Sequence, residues 1–229
     1  MPEIVFQIAV IVPVLNEAVH CQHLIEILQG CRRQAQVVIV DGGSQDDTVK
    51  QLIQAGLPLL QTKSAGRSRQ MNQGYRHLQA DAYWFLHADC KPPQNAIEQI
   101  QDSLNRGYDW GRFDVRLSGT HRVFRIIERM MNWRSRLTRI ATGDQGIFVR
   151  GALLNRIGGI PDIPIMEDIA LSRALRKCGR YACLSGPIQV SSRRWEKSGI
   201  IKMTLLMWWL RLRYLLGADP QDLHRSYYG

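Results

Sequence analysis

The chain has no run of about 18 uncharged apolar residues, the length a helix needs to cross a hydrocarbon layer. The nearest stretch, GIIKMTLLMWWLRLRYLLG from Gly199 to Gly217, is interrupted by Lys202, Arg211 and Arg213, so no membrane span is expected. The first residues carry no basic lead and reach Pro13 before an apolar segment is complete; that is not the pattern of a secretory signal. Cysteine is sparse and unpatterned. Cys21, Cys31, Cys90, Cys178 and Cys183 are odd in number and fall in no CxxC or metal-ligand spacing, so reduced thiols in a cytoplasmic protein are expected. Internal repeats, low-complexity tracts and Pro/Gly-rich linkers are also missing, which favours one domain over residues 1–229. Acids are in deficit: 20 Asp+Glu against 30 Lys+Arg give a net charge of +10, and the pI is near 9.7. That balance suits anionic partners. No RNP, zinc or helix-turn-helix signature accompanies it, so no nucleic-acid partner is expected.

What is present reads as alternating strands and helices. Hydrophobic content is 45 % and mean hydropathy is −0.21, the profile of a soluble globular chain. Ile8 to Val12 form a continuous β-branched run ended by Pro13, followed by Leu24, Ile27 and Leu28 at helical spacing. A second run, Val37 to Val40, precedes Val49, Leu52 and Ile53 on one helical face. Residues 57–61 predict a third strand, 66–78 a helix and 82–86 a fourth strand. The pattern predicts βαβ units and a mostly parallel α/β sheet covered on both faces. In such sheets ligands bind beyond the C-terminal strand ends. The first, second and fourth strands run into PVLNEA, DGGSQDDT and HAD, so three polar clusters are expected on one rim. Later segments predict a strand at WGRFDVRL, a helix over 121–140, a strand at GDQGIFVR and a helix from MED closed by Gly179.

Several side chains on that rim suit particular chemistry. Asp41 closes the second strand too early to cap the next helix, and a carboxylate there can accept from a nucleobase N–H or ribose hydroxyls. Gly43 lets a ligand approach the backbone. Asp46 and Asp47 either hold the same loop or cap the helix after it. Asp89 can hold a hard divalent cation beside phosphates or cap the next helix. His87, two residues earlier, is either a second ligand, better suited to Mn²⁺ than Mg²⁺, or a hydrogen-bonded rim residue. Arg67, Gln70 and Asn72 lie at a helix start that favours anions, where Arg67 binds a diphosphate or belongs to a solvated basic face. Glu167 and Asp168 complement a helix dipole. His20 and His23 have i,i+3 spacing and no third partner, so no metal site is expected there. On the 121–140 helix Val123, Ile126, Ile127, Met130, Trp133 and Leu137 form a stripe flanked by arginines; packing on the sheet is expected, with a membrane surface as the alternative. In the C-terminal segment Ile201, Leu205, Trp208, Leu212 and Leu215 form another. It too is expected to pack on the domain, with peripheral lipid contact as the alternative.

Taken in order, IVPVLNEA, VIVDGGSQDDT, an aspartate after the fourth strand, GDQ and ED resemble the family 2 glycosyltransferases of GT-A fold, across nearly the whole chain. GRSRQMNQG, FLHAD, GDQGIFVR, PIMEDIALSRALRKCGR and SSRRW are similar to the branch named for arsenosugar biosynthesis, also called selenodomain-associated transferases. The resemblance implies a Rossmann-like GT-A sheet and inverting transfer of a sugar from a nucleoside diphosphate sugar, commonly uridine-linked, to an acceptor hydroxyl. It divides the chain into a nucleotide-binding half (1–90), an acceptor half (91–198) and an amphipathic C-terminal helix and tail (199–229). By position it puts Pro13, Leu15, Asn16 and Glu17 in the nucleoside pocket, Asp41 on the base, Arg67 near the donor, and Asp89 on Mn²⁺ or Mg²⁺. Gly43, Asp46, Gln70, Asn72, Asp144, Gln145 and Glu167 join the substrate-binding set. Asp168 becomes the general base, and Arg193, Arg194 and Trp195 close over donor or acceptor. The first position of the metal motif is His87, a departure from the wider family. A lipid or carotenoid-like acceptor at the inner face of a membrane is the main variant of this reading. A nucleotidyltransferase is the other, but PVLNEA is not the glycine-rich phosphate loop it would need.

Overall fold

The structure, a computed structural model, describes residues 4–62 and 65–228, with the side chains of Arg194, Ser198 and Tyr228 outside that description. The two β-branched runs form β1 (Ile8–Val14) and β2 (Gln36–Asp41), and these pair in parallel with the shorter β3 (Leu59–Gln61) and the aromatic β4 (Ala82–Phe85). Helices α1 (Cys21–Cys31), α2 (Thr48–Gln54) and α3 (Arg67–His77) connect them. The short β5 (Cys90–Lys91) is followed by α4 (Ala96–Asn105), β6 (Trp110–Leu117) and α5 (Arg122–Thr138). Then come β7 (Phe148–Arg150), α6 (Gly151–Arg156), α7 (Glu167–Leu175), β8 (Tyr181–Val190), and helices α8 (Arg193–Ser198), α9 (Ile200–Leu215) and α10 (Pro220–Tyr228). All eight strands join one sheet in the order β3-β2-β1-β4-β7-β6-β8-β5. β7 runs antiparallel to β4 and β6, while β6 and β8 are parallel.

Side chains alternate across β1, so one strand serves two cores. Ile8, Val10, Val12 and Val14 pack with Leu24 and Leu28 of α1, Ile100 of α4 and Phe124 of α5. Ala9 and Ile11 face the other way, with Met71 of α3, Leu154 of α6 and Leu171 and Leu175 of α7. Gly74 lets α3 sit against the sheet: a Cβ there would lie 2.6 Å from Ile11 Cγ2. β1 extends one residue past Pro13. Its last pair with β4 is Ile11–Phe85, so the missing proline N–H interrupts no ladder bond on that side. A third cluster of Met166, Ile169, Leu210 and Leu223 docks α9 and α10 onto the start of α7. Fully burying a leucine such as Leu210 or Leu223 stabilises by about 1.5–3 kcal/mol.

Three expected packing faces differ in the structure. On α2 Leu52 is buried, but Ile53 is exposed. On α5 the face on the sheet is Phe124, Ile127, Met131 and Ser135, whereas Ile126, Met130, Trp133 and Leu137 are 43–66 % exposed. The helix has two apolar faces about 120° apart on its 100°-per-residue wheel, and the sheet takes the one carrying Phe124. On α9 the stripe Ile201, Leu205, Trp208, Leu212 and Leu215 also points outward, while Met203 and Leu210 are buried.

Candidate active site

Because β1, β2 and β4 are parallel, the loops after them meet on one rim. The PVLNEA and DGGSQDDT loops are bonded together: Asn16 N–H donates to Ser44 Oγ at 2.9 Å, Gln45 N–H to Asn16 Oδ1 at 2.8 Å, and Glu17 N–H to Thr48 Oγ1 at 2.8 Å. Ala18 N–H donates to Asp46 Oδ2, and Asp46 Oδ1 accepts from Thr48, so Asp46 serves the loop and the first turn of α2 together. Asp41 is 1 % exposed. Its carboxylate accepts from Gly43 N–H at 2.9 Å and from the Ser44 amide and hydroxyl. In this arrangement Asp41 shapes the loop from beneath and does not line the cavity next to it. Gly43 is exposed, with φ 96°.

That cavity measures about 1000 Å³ and is lined by Pro13, Leu15, Glu17, Arg67, Gln70, His87, Asp89, Asp144, Glu167, Asp168 and Trp195. A second depression of about 640 Å³ between α4 and β8 holds no comparable set of acids. Gln70 reaches the cavity but is committed to the scaffold. Its Nε2 donates to Val14 O at 2.8 Å and Val40 O at 2.7 Å, tying the ends of β1 and β2. Of the other expected site residues, Asn16, Gly43 and Asp46 belong to the bonded loops and not to the lining, and Asn72, Gln145 and Arg193 also lie off the cavity. Asn72 is buried in a reciprocal pair with the backbone of Ile160, at 2.7 and 2.9 Å. Gln145 is 0 % exposed; it closes a capping box with Thr142 and donates to Ser135 Oγ. Arg193 is exposed, 3.1 Å from His20 Nε2. Arg194 is in α8, but its side chain is outside the described set.

The acids form the chemical centre. His87 Nδ1 lies 3.4 Å from Asp144 Oδ1, and the Nε2 edge of the ring packs against Gly143, where a Cβ would be 2.5 Å from Nε2. His87 thus sets Nδ1 beside the Asp144 carboxylate while its ring lines the cavity. The Cys90 thiol lies 3.8 Å from Asp89 Oδ1 and 3.9 Å from Asp144 O, which makes these two residues neighbours. Asp168 Oδ2 accepts from Gly143 N–H at 2.8 Å. Glu167, beside it, is buried, with Oε1 3.9 Å from Arg67 Nη1. The turn that delivers both is strained, with Met166 at φ 66°, and Asn16 in the loop after β1 has φ 55°. Such left-handed non-glycine residues cost about 1–3 kcal/mol each and gather at functional sites.

The electrostatics follow from crowding. Burial raises the Glu17 carboxyl above its ordinary value, and the Asp89 charge adds to that while Arg67 opposes it. Glu167 is raised by burial and then by Asp168, again opposed by Arg67. Desolvation in the cavity pushes Asp144 upward, but His87, Arg67 and Arg211 outweigh it and hold Asp144 below the usual range. Behind the cavity, burial and the neighbouring Arg211 lower Arg134 to about 10. Arg134 Nε and Nη2 are buried with no hydrogen-bond partner among the described residues. So many acids in a chain of net charge +10 create a local demand for cations. Among the described residues no three His, Cys, Asp or Glu side chains make a metal cage. A hard cation bound beside phosphates needs only one or two carboxylates, and Asp89 and Asp144 are carboxylates on the cavity lining.

The C-terminal helices complete the cavity in a way sequence reasoning missed. Met203, Met207 and Arg211 of α9, and His224, Arg225 and Tyr227 of α10, also line it. The available signal was Arg211, a charge on the side of α9 away from its outer apolar stripe.

Known structures share this framework. The mannosyltransferase from Pyrobaculum calidifontis, solved with GDP-Man and Mn²⁺, aligns with TM-score 0.65 at 20 % identity over 83 % of this chain and 57 % of its own. S. aureus TarS 1–349 in complex with UDP-GlcNAc aligns with TM-score 0.66 at 19 % identity over 81 % and 58 %. The fold is thus that of the GT-A glycosyltransferases. Residues 9–158 match the profile of Glycosyl transferase family 2, and the chain belongs to that family. It is 26 % identical over 192 residues to an undecaprenyl-phosphate 4-deoxy-4-formamido-L-arabinose transferase of Klebsiella pneumoniae, covering 74 % of this chain and 58 % of that one. It is 34 % identical over 103 residues to an uncharacterized glycosyltransferase of Mycobacterium tuberculosis, covering 42 % and 39 %. The chain thus spans only part of the length of these relatives.

Proposed function

We propose that the chain transfers a sugar, with inversion, from a nucleoside diphosphate sugar, a uridine-linked one in the first instance, to an acceptor hydroxyl or phosphate oxygen. One observation carries this reading: Glu17, Asp89, Asp144 and Asp168 share a cavity with Arg67 and Arg211 at the C-terminal ends of β1 and β4. The named ligands of the structural neighbours, GDP-Man and UDP-GlcNAc, support the donor class. In this reading the nucleoside enters between Pro13, Leu15 and the loop that Asp41 braces, and the diphosphate faces Arg67. Asp89 and Asp144 would hold Mn²⁺ or Mg²⁺, whose charge offsets the negative charge that develops on the leaving diphosphate. His87 orients Asp144. Asp168 receives the acceptor proton as the acceptor oxygen bonds to the anomeric carbon from the face opposite the breaking C–O bond. Gly143 N–H donates to Asp168 Oδ2 and Ile169 N–H to Oδ1, so both carboxylate oxygens are held in a fixed orientation for that task. Glu167 keeps Arg67 in place.

The finer assignment to the arsenosugar or selenodomain-associated branch rests on the motif phrases alone. The discriminating experiment is a screen of nucleotide sugars with and without Mn²⁺, read by thermal shift and by product. Ligand binding to the native state raises the melting temperature, and turnover releases free nucleoside diphosphate. Release of pyrophosphate from a nucleoside triphosphate and a sugar 1-phosphate, run beside the screen, would instead make the enzyme a nucleotidyltransferase.

A further inference from the structure

The outer face of α9 has no role in the cavity, yet it is the most apolar exposed surface described. Of sixteen exposed large apolar side chains, seven are on α9 or just after it: Ile201, Leu205, Trp208, Trp209, Leu212, Leu215 and Leu216, at 46–79 % exposure. Four more, Ile126, Met130, Trp133 and Leu137, form the outward stripe of α5. Scattered exposed leucines are ordinary, but stripes along whole helices mark an interaction surface. The charges beside them are of one sign. Outside the cavity wall α9 carries Lys202 and Arg213, and it contains no acid. α5 presents Arg122 and Arg129 to solvent, and its single acid, Glu128, is buried against Leu117 N–H and Arg125. Arg213 also stacks on Trp209, 4.9 Å from the ring centre, so a base and an indole share the margin of the face.

An apolar helix face with tryptophans and a purely basic border fits an anionic lipid surface. A second copy of the same face would bring like charges together along both borders. No helix among the described residues is long and apolar enough to cross a membrane, so contact would be in the plane of the interface. We propose that the outer face of α9 docks this protein onto anionic bilayers. The opposite side of α9 supplies Met203, Met207 and Arg211 to the cavity wall. Resting on the transferase reading, this would bring the acceptor side of the reaction to the headgroup layer.

The test is flotation of the full chain with phosphatidylcholine vesicles, with and without phosphatidylglycerol. Wild type should float with the anionic vesicles, and bromine-labelled lipid should quench its exposed tryptophans. W208E/L212E should lose at least tenfold in vesicle affinity, since it puts charge in the middle of the face. K202Q/R213Q keeps the apolar face, yet should lose about thirtyfold at low salt, because each basic side chain near an anionic surface is worth about fivefold. Both variants should keep wild-type melting and nucleotide affinity, as none of the four side chains lines the cavity. The inference fails if wild type stays unbound, or if both folded variants float like wild type. It also fails if wild type is a dimer that W208E/L212E dissociates while vesicles bind neither. Vesicle binding without nucleotide binding would sink the transferase reading alone.

Discussion

Replacing Asp168 by Asn separates proton transfer from every other role this carboxylate could have. The substitution is nearly isosteric, and the carboxamide oxygen can still accept from Gly143 N–H, now 2.8 Å from Asp168 Oδ2. The fold should therefore change by less than about 1 kcal/mol, the worth of the single bond at risk. A carboxamide cannot take a proton, so the general-base contribution, about 10²–10⁴-fold, should vanish. At about 1.36 kcal/mol per tenfold, that is roughly 2.7–5.4 kcal/mol on the barrier. The assay is release of free nucleoside diphosphate with a working acceptor, paired with calorimetry for donor affinity. Turnover should fall by at least a hundredfold while the donor dissociation constant stays within about threefold. Wild-type turnover would refute the base assignment. Loss of donor binding with the melting temperature intact would move Asp168 into the nucleotide or metal site.

Three further outcomes follow from the same geometry. Gln70→Leu removes the two bonds from Nε2 to Val14 O and Val40 O, while Val14 O keeps its bond from Gly42 N–H, so chemical denaturation should show a loss of about 1–3 kcal/mol. Asp41→Ala should weaken nucleoside binding even without metal and lower the melting temperature, because the Gly43 and Ser44 amides lose their acceptor. Glu167 has a raised pKa in the fold, through burial and then Asp168, so the folded state holds its proton more tightly than the unfolded chain. The resulting stability is present below the ordinary value of 4.5 and is lost as pH rises through the raised value. Melting curves from pH 4 to 7 should thus fall more steeply for wild type than for Glu167→Gln; parallel curves would remove the assigned burial cost.

The parallel half of the fold was legible because its signals are local and agree. Continuous β-branched runs ended in polar clusters, and parallel pairing put those clusters on one rim. Asp89 was expected on the rim from the same pattern, whereas Asp144 and Asp168 were named through the family resemblance; all three line the cavity. Gln145 and Asn72 misled because an amide in a motif reads the same whether it faces ligand or scaffold. Only the partners, Thr142 and the Ile160 backbone, distinguish the two. On α5 the helical period fits two apolar faces, and a sequence cannot say which one the sheet takes. On α9 Arg211 reads as a break in an apolar segment, although tertiary packing makes it part of the cavity wall.

The central claim is that the acids after β1 and β4 bind a nucleoside diphosphate through a divalent cation. Calorimetric titration of UDP into wild type and Asp89→Ala, each with and without Mn²⁺, tests it most directly. The account predicts that Mn²⁺ tightens UDP binding to wild type by at least tenfold and that Asp89→Ala abolishes that gain while keeping the fold. Equal UDP affinity in all four titrations would contradict it.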